Sequence, residues 1–588
     1  MKAKRAMALL LGAVSVFSVG SMAACGGGGG NGGGGGNSGG GGVAGTNSKV
    51  TTIQFMDYGG GVGNQWLYDA AERFETLKKN EVYETGKVGV EVSITPSKDI
   101  PYDTMNTTGY HVFTTEQKAD IYMMASKNEL MKMDDIVSEI AAIDDNEKER
   151  LKGPDGSYYA LPHYEWFPGI SYDIDFFDEN DFYFAAPEET TVIPKVTDFG
   201  TRNFIGHPTA KKSCGPNGKY GDYDDGLPSS LEEFFILCAV IQRDGGRSPM
   251  VMSGKSVDYG FYFPHGLWAN LAGFEQMSSI YTHNTNGEEV VEVITGWTNE
   301  ELFYKGSNIY KPETEMIAIT PETGYKAFDQ AARFYSLAAL HVMYDMQWFN
   351  PRSQGANVTA FEAQSHFISD GAGAMLWDSS YWYNETVKQG NIDHHVQLNP
   401  ENPERNISYM PLPSQTFGTV AEGEGHENVL LDCGSSQLFV NKRVEANPGL
   451  TRAIKELLLF LYSDEELAAY TEETGCMRAM SYDFDETFAG REYYGYYENL
   501  NEIRLASKVV RPSSASSYFK KNLSNFNLTW SGSMQRPVIN GQPVSEGYLK
   551  AMQLYGVRPL AGYNQCASAQ TIWEMTRKTE TEWKNLTK

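Results

Sequence analysis

Two stretches of the sequence place aromatic side chains directly beside carboxylates. Glu165 precedes Trp166, and Asp378 lies within residues 377–382, a segment that also contains Tyr381. Indole and phenol rings can pack on the C–H faces of sugar rings, and a carboxylate can accept hydrogen bonds from two neighbouring hydroxyl groups. These residue types therefore suit a carbohydrate-binding site. A tryptophan that packs in the interior and a solvated glutamate would explain the first pair equally well.

Sequence motifs that mark catalytic sites are either absent or lack the strands and helices that normally surround them. The G-x-S-x-G match at residues 36–40 has neither a strand before it nor a helix after it. No H-E-x-x-H pattern occurs, and the glycine loop after Asp57 lacks the lysine of a phosphate-binding loop. A glycosidase needs two carboxylates at a set separation, which a sequence does not show, so an exported glycosidase stays an alternative. We expect binding without turnover and no cofactor.

The acidic loop 215–226 contains Asp222, Asp224 and Asp225. Its glycines do not fall where an EF-hand calcium loop needs them, so a turn is the better explanation. The five cysteines after Cys25 are scattered without the spacing of a zinc site. We therefore expect no metal site, although the sequence leaves a structural calcium open.

The first 47 residues are typical of an export signal followed by a tether. Basic residues precede a short apolar run in residues 1–24, as in a signal peptide, and residues 22–25 resemble a lipobox that ends at Cys25. Residues 26–47 are almost all glycine and have nothing to bury. We expect cleavage before Cys25, acylation of this cysteine with palmitate-type chains, and a tether over 25–47. The alternative is secretion without a lipid anchor.

The amino-acid composition of the remaining chain excludes some classes of binding partner and favours others. The formal net charge of −27 argues against nucleic acid, because phosphate binding needs a basic surface. Hydrophobic residues make up 41% of the chain, enough for large cores, and no apolar stretch of membrane-spanning length follows the leader. Aromatic residues reach 13%, which also suits sugar binding.

Hydrophobic periodicity indicates strands that alternate with helices. The pattern predicts strands at 51–56, 89–94 and 119–124, and a helix at 65–75. Further helices are predicted after the overlapping Ser-x-x-Glu capping boxes at 229–233, and at 450–462 and 464–474. This alternation predicts an α/β fold with a mostly parallel sheet, whose ligands bind beyond the carboxyl ends of the strands. Asp57 and Tyr58 follow the first strand and are therefore candidate ligand contacts.

Four stretches resemble the extracellular sugar-binding lipoproteins of ATP-driven importers, the maltose-binding-protein type. They are the strand, glycine loop and helix of residues 55–75; Ala-Asp-Ile at 119–121; Gly-Ser-Tyr-Tyr-Ala-Leu-Pro at 156–162 with the segment 169–177; and residues 367–377 with Tyr381 and Trp382. Residues 435–442 are similar to the family's later return to the first lobe.

The resemblance implies a two-lobed periplasmic-binding-protein-like α/β fold with a hinge and an interlobe cleft. Lobe one would comprise 48–163 with 430–478, and lobe two 164–429 with 479–588. The length beyond compact members of the family is expected in lobe two, around 183–225 and 281–319. The implied ligand is a carbohydrate, and the implied partner is the permease of an ABC transporter, served by a monomer at the extracellular face of the cell membrane.

The resemblance also places several aromatics in the cleft. Tyr262 falls where the family often has a stacking tyrosine, and either Tyr381 or Trp382 takes the place of its stacking aromatic in lobe two. The complete set of expected ligand contacts is Asp57, Tyr58, Glu165, Trp166, Tyr262, Trp268, Asp378, Tyr381 and Trp382. Binding of a peptide or other non-sugar solute, adhesion, and sensing without transport are the alternatives to sugar uptake.

Overall fold

The structure is a computed structural model. It describes residues 49–59, 63–97, 100–115, 124–143, 147–148, 151–153, 155–254, 262–282, 284–353, 358–401, 405–433, 436–482, 484, 495–511, 538–539, 542–543, 573, 577 and 579–586. The expected signal peptide, Cys25 and the glycine tether lie outside these residues.

The described strands, in chain order, are β1 (Thr51–Asp57), β2 (Val90–Pro96), β3 (Val112–Thr115), β4 (Leu161–Pro162), β5 (Pro168–Asp173), β6 (Val192–Thr197), β7 (Gly200–Ile205), β8 (Ser248–Val251), β9 (Val291–Glu301), β10 (Tyr310–Ile317), β11 (Gly373–Ser379), β12 (Ile407–Tyr409), β13 (Val429–Leu431), β14 (Gln437–Val440), β15 (Lys508–Val510), β16 (Val538–Ile539) and β17 (Gln542–Pro543).

The described helices are α1 (Gln65–Leu77), α2 (Asp134–Glu139), α3 (Ile174–Glu179), α4 (Leu231–Asp244), α5 (Tyr262–Thr282), α6 (Ala331–Asp345), α7 (Ala360–Ile368), α8 (Trp382–Lys388), α9 (Asn391–Leu398), α10 (Pro448–Leu461), α11 (Asp464–Thr474), α12 (Tyr496–Leu505) and α13 (Glu580–Leu586). Among the described residues, no helix combines the length and apolar character needed to cross a membrane.

The first sheet has the order β2-β1-β3-β14-β4. Strand β1 is buried along its whole length and pairs in parallel with β2 and β3, whereas β14 returns antiparallel to β3 and β4. Helix α1 turns Trp66, Leu67 and Phe74 toward this sheet, as its 3.6-residue period predicts. The predicted elements at 51–56, 65–75, 89–94, 450–462 and 464–474 are confirmed, with small differences at their ends.

The second sheet has the order β12-β5-β11-β8, with β11 antiparallel to β5 and parallel to β8. Helix α4 covers its core and begins where the capping boxes predict. The Ser230 hydroxyl accepts a hydrogen bond from the backbone N–H of Glu233 at 3.2 Å, and the Ser229 hydroxyl donates to the Glu233 carboxylate at 2.7 Å. The two sheets have separate hydrophobic cores, which is the basis of the two lobes.

Two long antiparallel hairpins project from the second lobe, β6–β7 and β9–β10. They fall within 183–225 and 281–319, the segments in which the sequence predicts additional length. Phe204 on β7 and Ile294 on β9 join the core of the second lobe. The hairpins therefore extend that core rather than forming an independent unit.

Three chain segments run side by side between the sheets. The first links β4 to β5, and its backbone N–H groups at His163 and Glu165 donate to the carbonyls of Ser436 and Met477 at 2.8 and 2.9 Å. The second segment contains Cys433 and Ser436, and the N–H of Cys433 donates to the carbonyl of Trp166 at 3.1 Å. The third segment contains Met477. We refer to these paired segments as the hinge. The residue boundaries that we assign to the lobes remain a sequence prediction.

Two local features differ from the sequence patterns. Residues 119–123 of the predicted third strand lie outside the described residues, and Met124 begins a short helical turn. Helix α5 is interrupted at Gly273, where φ is 76° and ψ is 164°. Only glycine adopts this conformation without steric strain, so the kink depends on this residue.

Candidate functional site

Trp166 and Tyr381 meet at the junction of the two lobes. Their ring centroids are 5.7 Å apart at an angle of 87°, the edge-to-face geometry favoured by aromatic pairs. Trp166 belongs to the hinge and packs against both main cores, while Tyr381 immediately precedes α8 of the second lobe and packs against the core of the first. Both residues are half-buried. The structure thus brings together two aromatics that the sequence singled out separately.

Asp57 and Tyr58 lie at the carboxyl end of β1. The Asp57 carboxylate accepts hydrogen bonds of 2.6 Å from both the Thr114 hydroxyl and the Asn64 side-chain amide. Burial raises the pKa of Asp57, while these two hydrogen bonds and the charge of Arg478 oppose the rise. Tyr58 is half-buried, and its backbone N–H donates to Thr114 at 2.7 Å. Asp57 therefore holds the carboxyl end of β1 in place through hydrogen bonds to a residue of β3 and to the residue just before α1.

Glu165 occupies the centre of a buried ion-pair network in the hinge. Its carboxylate accepts hydrogen bonds from Arg504 at 2.6 Å and from Arg511 at 2.7 Å. Arg511 also pairs with Glu147 at 3.2 Å. Burial by itself would raise the pKa of Glu165, but the two guanidinium groups outweigh it and lower that pKa. Its side chain is buried and fastens the hinge, so it is not a solvated glutamate, and the expected sugar contact stays a prediction.

Asp378 lies at the end of β11 within a second buried polar cluster. One carboxylate oxygen accepts from the backbone N–H of Ser379 at 2.7 Å, and the other accepts from the Gln364 amide at 3.1 Å. The same amide nitrogen donates to Glu385 at 3.0 Å. Burial raises the pKa of Asp378 to about 7, and burial together with the charge of Asp378 raises the pKa of Glu385 to about 8. Both side chains point into protein in this structure rather than toward solvent.

The three remaining candidates occupy different environments. Trp382 is fully buried, and its indole N–H donates to the Ser171 hydroxyl at 2.8 Å. Trp268 is also fully buried, with its indole N–H bonded to Gln330. For these two tryptophans the structure favours core packing over the expected ligand contact, because protein covers their rings. Tyr262 is the first residue of α5, and its side chain lies outside the described part of the structure.

A group of four residues near the hinge escaped the sequence analysis: Trp66, His163, Tyr470 and Arg478. Their rings and the guanidinium contact one another, with the Arg478 Cζ 4.2 Å from the Tyr470 ring centroid and 5.2 Å from that of Trp66. We call this group the arginine cage. The sequence treats Trp66 as a core residue of an amphipathic helix, and nothing in the local pattern around Arg478 signals that the two meet.

The acidic loop folds as a turn in which its carboxylates gather. Metal-ligating oxygens of Asp222, Asp224 and Asp225 lie within 4.8 Å of one another. Burial and the neighbouring Asp222 raise the pKa of Asp224 to about 9. Asn217 donates from its backbone N–H to Asp224 at 3.0 Å and from its side-chain amide to Asp222 at 2.8 Å. The expectation that this loop holds no metal stays a prediction.

Solved structures of sugar-binding proteins share this fold. The chain is similar to a chitin oligosaccharide binding protein, with a TM-score of 0.51 and 14% identity over 91% of this chain and 99% of that protein. It is also similar to the apo form of RafE from Streptococcus pneumoniae, with a TM-score of 0.51 and 10% identity over 92% and 100% of the two chains. The two-lobed periplasmic-binding-protein-like α/β fold expected from the sequence is confirmed.

The likeness is one of structure rather than of sequence. No protein-family model matches the chain. No curated protein matches it either.

Proposed function

We propose that this protein captures a carbohydrate outside the cell and delivers it to the permease of an ATP-driven importer. The observation that carries the proposal is the half-buried Trp166–Tyr381 pair at the junction of two lobes with a binding-protein fold. A cleft between lobes offers ligand contacts from both sides, and aromatic rings there suit the faces of sugar rings. The similar chitin oligosaccharide binding protein supports an oligosaccharide as the class of ligand.

A thermal-shift screen of the full chain against a panel of oligosaccharides tests the ligand class. A ligand at about 100 times its Kd should stabilise the protein by about 2.7 kcal/mol. We expect at least one oligosaccharide to raise the melting temperature without any metal or nucleotide. The binding proposal fails if no glycan raises it, and release of a hydrolysis product from a bound oligosaccharide would instead favour the glycosidase alternative.

Anchoring at the extracellular face of the membrane is part of the same proposal. It rests on the lipobox-like residues 22–25 and on the glycine-rich segment that follows them. Several acyl chains on Cys25 would hold the protein stably, where a single chain gives only reversible attachment. We expect mass spectrometry of the membrane-extracted native protein to find an acylated N-terminal Cys25, and Cys25→Ala to release the protein from the membrane. An unmodified N-terminus at another residue would contradict the anchor.

A further inference from the structure

The arginine cage contains a buried cation that forms no ion pair with any described carboxylate. Arg478 is 0% exposed, and among the described residues its side-chain nitrogens form no ion pair and no hydrogen bond to a carboxylate or carbonyl oxygen. Its guanidinium lies against the rings of Tyr470, Tyr462 and Trp66, with Cζ-to-centroid distances of 4.2, 4.6 and 5.2 Å. Ring faces attract a cation but accept none of its five N–H groups in the plane of the guanidinium. Leaving such donors buried and unpaired is costly, so the arrangement calls for an acceptor that the described residues do not supply.

Other polar groups of the cage are in the same condition. The Trp66 indole N–H and both ring nitrogens of His163 are buried without a hydrogen-bond partner among the described residues. The ring centroids of Trp66 and His163 are 5.4 Å apart, and those of His163 and Tyr470 are 5.8 Å apart. The unsatisfied atoms therefore belong to one contiguous group. Scattered packing defects would not converge on three residues from α1, the hinge and the region around α11.

Two buried carboxylates, those of Asp57 and Glu165, already accept hydrogen bonds from other residues. Both oxygens of Asp57 accept hydrogen bonds from Thr114 and Asn64. Both oxygens of Glu165 accept from Arg504 and Arg511. Within the part of the chain that the structure describes, no ion pair includes Arg478, whereas Arg504 and Arg511 each have a carboxylate partner. The cage is therefore rich in unused donors.

We infer that the arginine cage binds the carboxylate of an acidic sugar, so that the ligand of this protein is a uronic-acid-containing oligosaccharide. A sugar hydroxyl must donate as well as accept, whereas a carboxylate only accepts and can receive two parallel N–H groups from one guanidinium. The cage offers arginine and indole N–H donors, so it suits a carboxylate, which only accepts hydrogen bonds. The inference rests on the proposed sugar-binding function and adds the chemical class of the sugar.

The position of the cage fits a ligand held in the interlobe cleft. His163 and Arg478 belong to neighbouring hinge segments, and Trp66 is the second residue of the helix that follows the glycine loop after Asp57. The overall charge of −27 does not prevent an anion from binding there. Interactions between exposed charges are screened beyond a Debye length of about 8 Å at physiological salt, so the local guanidinium decides the preference.

Calorimetry with matched ligands tests the inference on the full chain. The probes are uronic-acid oligosaccharides, the neutral hexose oligosaccharides of the same linkage and length, and acetylated dipeptides that carry a carboxylate without a sugar ring. We expect the acidic sugars to bind at least about tenfold more tightly than the neutral ones, as a charge-assisted hydrogen bond implies. The dipeptides should not compete.

Variants of the cage tie that preference to Arg478. Arg478→Gln should reduce affinity for the acidic sugar about 10- to 100-fold and change affinity for the neutral sugar much less. Tyr470→Phe keeps the ring and removes only the hydroxyl, so it should weaken acidic-sugar binding without lowering the melting temperature of the free protein. Tyr83→Phe is the matched control, because its hydroxyl bonds Glu456 instead of a cage residue.

The outcomes separate this inference from the proposed function. Equal or tighter binding of neutral sugars overturns the inference and leaves sugar binding intact. A preference for acidic sugars that survives Arg478→Gln and Tyr470→Phe also overturns it, because another site would then recognise the acid. Competition by the dipeptides overturns it as well, whereas failure of every sugar to bind overturns the proposed function itself.

Discussion

Tyr381 and Trp382 are neighbours in the chain, but their side chains occupy opposite environments. Tyr381 remains half-buried and contacts Trp166 across the hinge. Trp382 is enclosed by Phe367, Tyr383 and Tyr496, with its N–H satisfied by Ser171. At the start of a helix, a side chain can lie either against the core or toward a cleft. Only the tertiary packing therefore shows which of these two neighbours is a core residue and which can contact a ligand.

Substitution of each residue by alanine should separate the two roles. Tyr381→Ala is expected to lower the affinity for the ligand by about 1–3 kcal/mol with little change in stability, because it removes an aromatic platform at a cleft. Trp382→Ala is expected to lower the free energy of unfolding by about 3–5 kcal/mol, because it leaves a cavity in a core. Denaturant unfolding without ligand and calorimetry with ligand measure the two effects. Comparable losses of stability in both variants would contradict the assignment.

The buried pair Asp378 and Glu385 predicts a dependence of stability on pH. Burial raises both pKa values above their ordinary values of 3.8 and 4.5, to about 7 and about 8. Between the ordinary and the raised values the folded state binds more protons than the unfolded chain, so the free energy of unfolding falls as pH rises through this window. We expect this pair to contribute a loss of stability between about pH 5 and pH 8.5.

Glu385→Gln keeps the oxygen that accepts from Gln364 and removes one titrating group of the pair. The difference in melting temperature between pH 5 and pH 8.5 should therefore be smaller in this variant than in the unmodified protein. Glu498→Gln, on an exposed position of α12, serves as the control and should leave the difference unchanged. If the variant and the unmodified protein have the same dependence of melting temperature on pH, the pKa of Glu385 does not differ between the folded and the unfolded state.

At the scale of elements, backbone hydrogen bonds pair the hinge segments, and a buried ion pair stabilises the pairing. Its segments exchange hydrogen bonds at His163, Glu165 and Cys433, but each contributes only a few residues. Arg504 on α12 reinforces this short ladder by contacting the Glu165 carboxylate and the carbonyls of Arg478 and Met480. One helix of the second lobe is thereby tied to two hinge segments.

Glu165→Ala should be strongly destabilising. The substitution leaves Arg504 and Arg511 without this carboxylate in a buried environment, and breaking a buried ion pair in this way costs about 3–5 kcal/mol. Glu473→Gln removes an exposed pair with Lys388 of 3.5 Å and should change the free energy of unfolding by no more than about 1 kcal/mol. Urea unfolding of both variants measures the difference. Equal effects would mean that the hinge network adds no more than a surface pair.

At the scale of the whole molecule, two cores joined by a narrow hinge permit one lobe to move against the other. A ligand that contacts both lobes only in a closed state shifts the population toward that state through its differential affinity. In the present structure the Trp166–Tyr381 contact already joins the lobes on one side of the junction. For the proposed delivery to a permease, closure on the ligand distinguishes a loaded binding protein from an empty one.

Ligand binding is expected to reduce the radius of gyration. Small-angle scattering of the full chain with and without a saturating oligosaccharide measures this change directly, since the lobes approach one another on closure. A non-binding sugar at the same concentration is the control for solvent contrast. An unchanged radius at saturation would count against delivery to a permease and favour the adhesion or sensing alternative.

Local patterns were sufficient for several elements of the fold and for part of the site. Apolar periodicity predicts β1, β2 and α1, and the Ser229–Ser230 capping boxes predict the start of α4, because these features depend on residues a few positions apart. Asp57 could be placed at the end of a strand for the same reason. The two-lobed architecture was implied by the resemblance of four sequence stretches, together with the lipobox-like leader, to a family of sugar-binding lipoproteins.

Only the tertiary structure decided which side chains meet. Glu165 finds its partners at Arg504 and Arg511, which lie 339 and 346 positions away in the chain. Trp66 and Arg478 likewise come together from distant parts of the chain to form the arginine cage. Burial and pairing at such separations depend on how the hinge segments align, and no local pattern of residues encodes that alignment. The sequence by itself therefore determined several elements and, through the resemblance, the class of fold, while packing assigned Trp382 to a core and left Arg478 buried without an ion pair among the described residues.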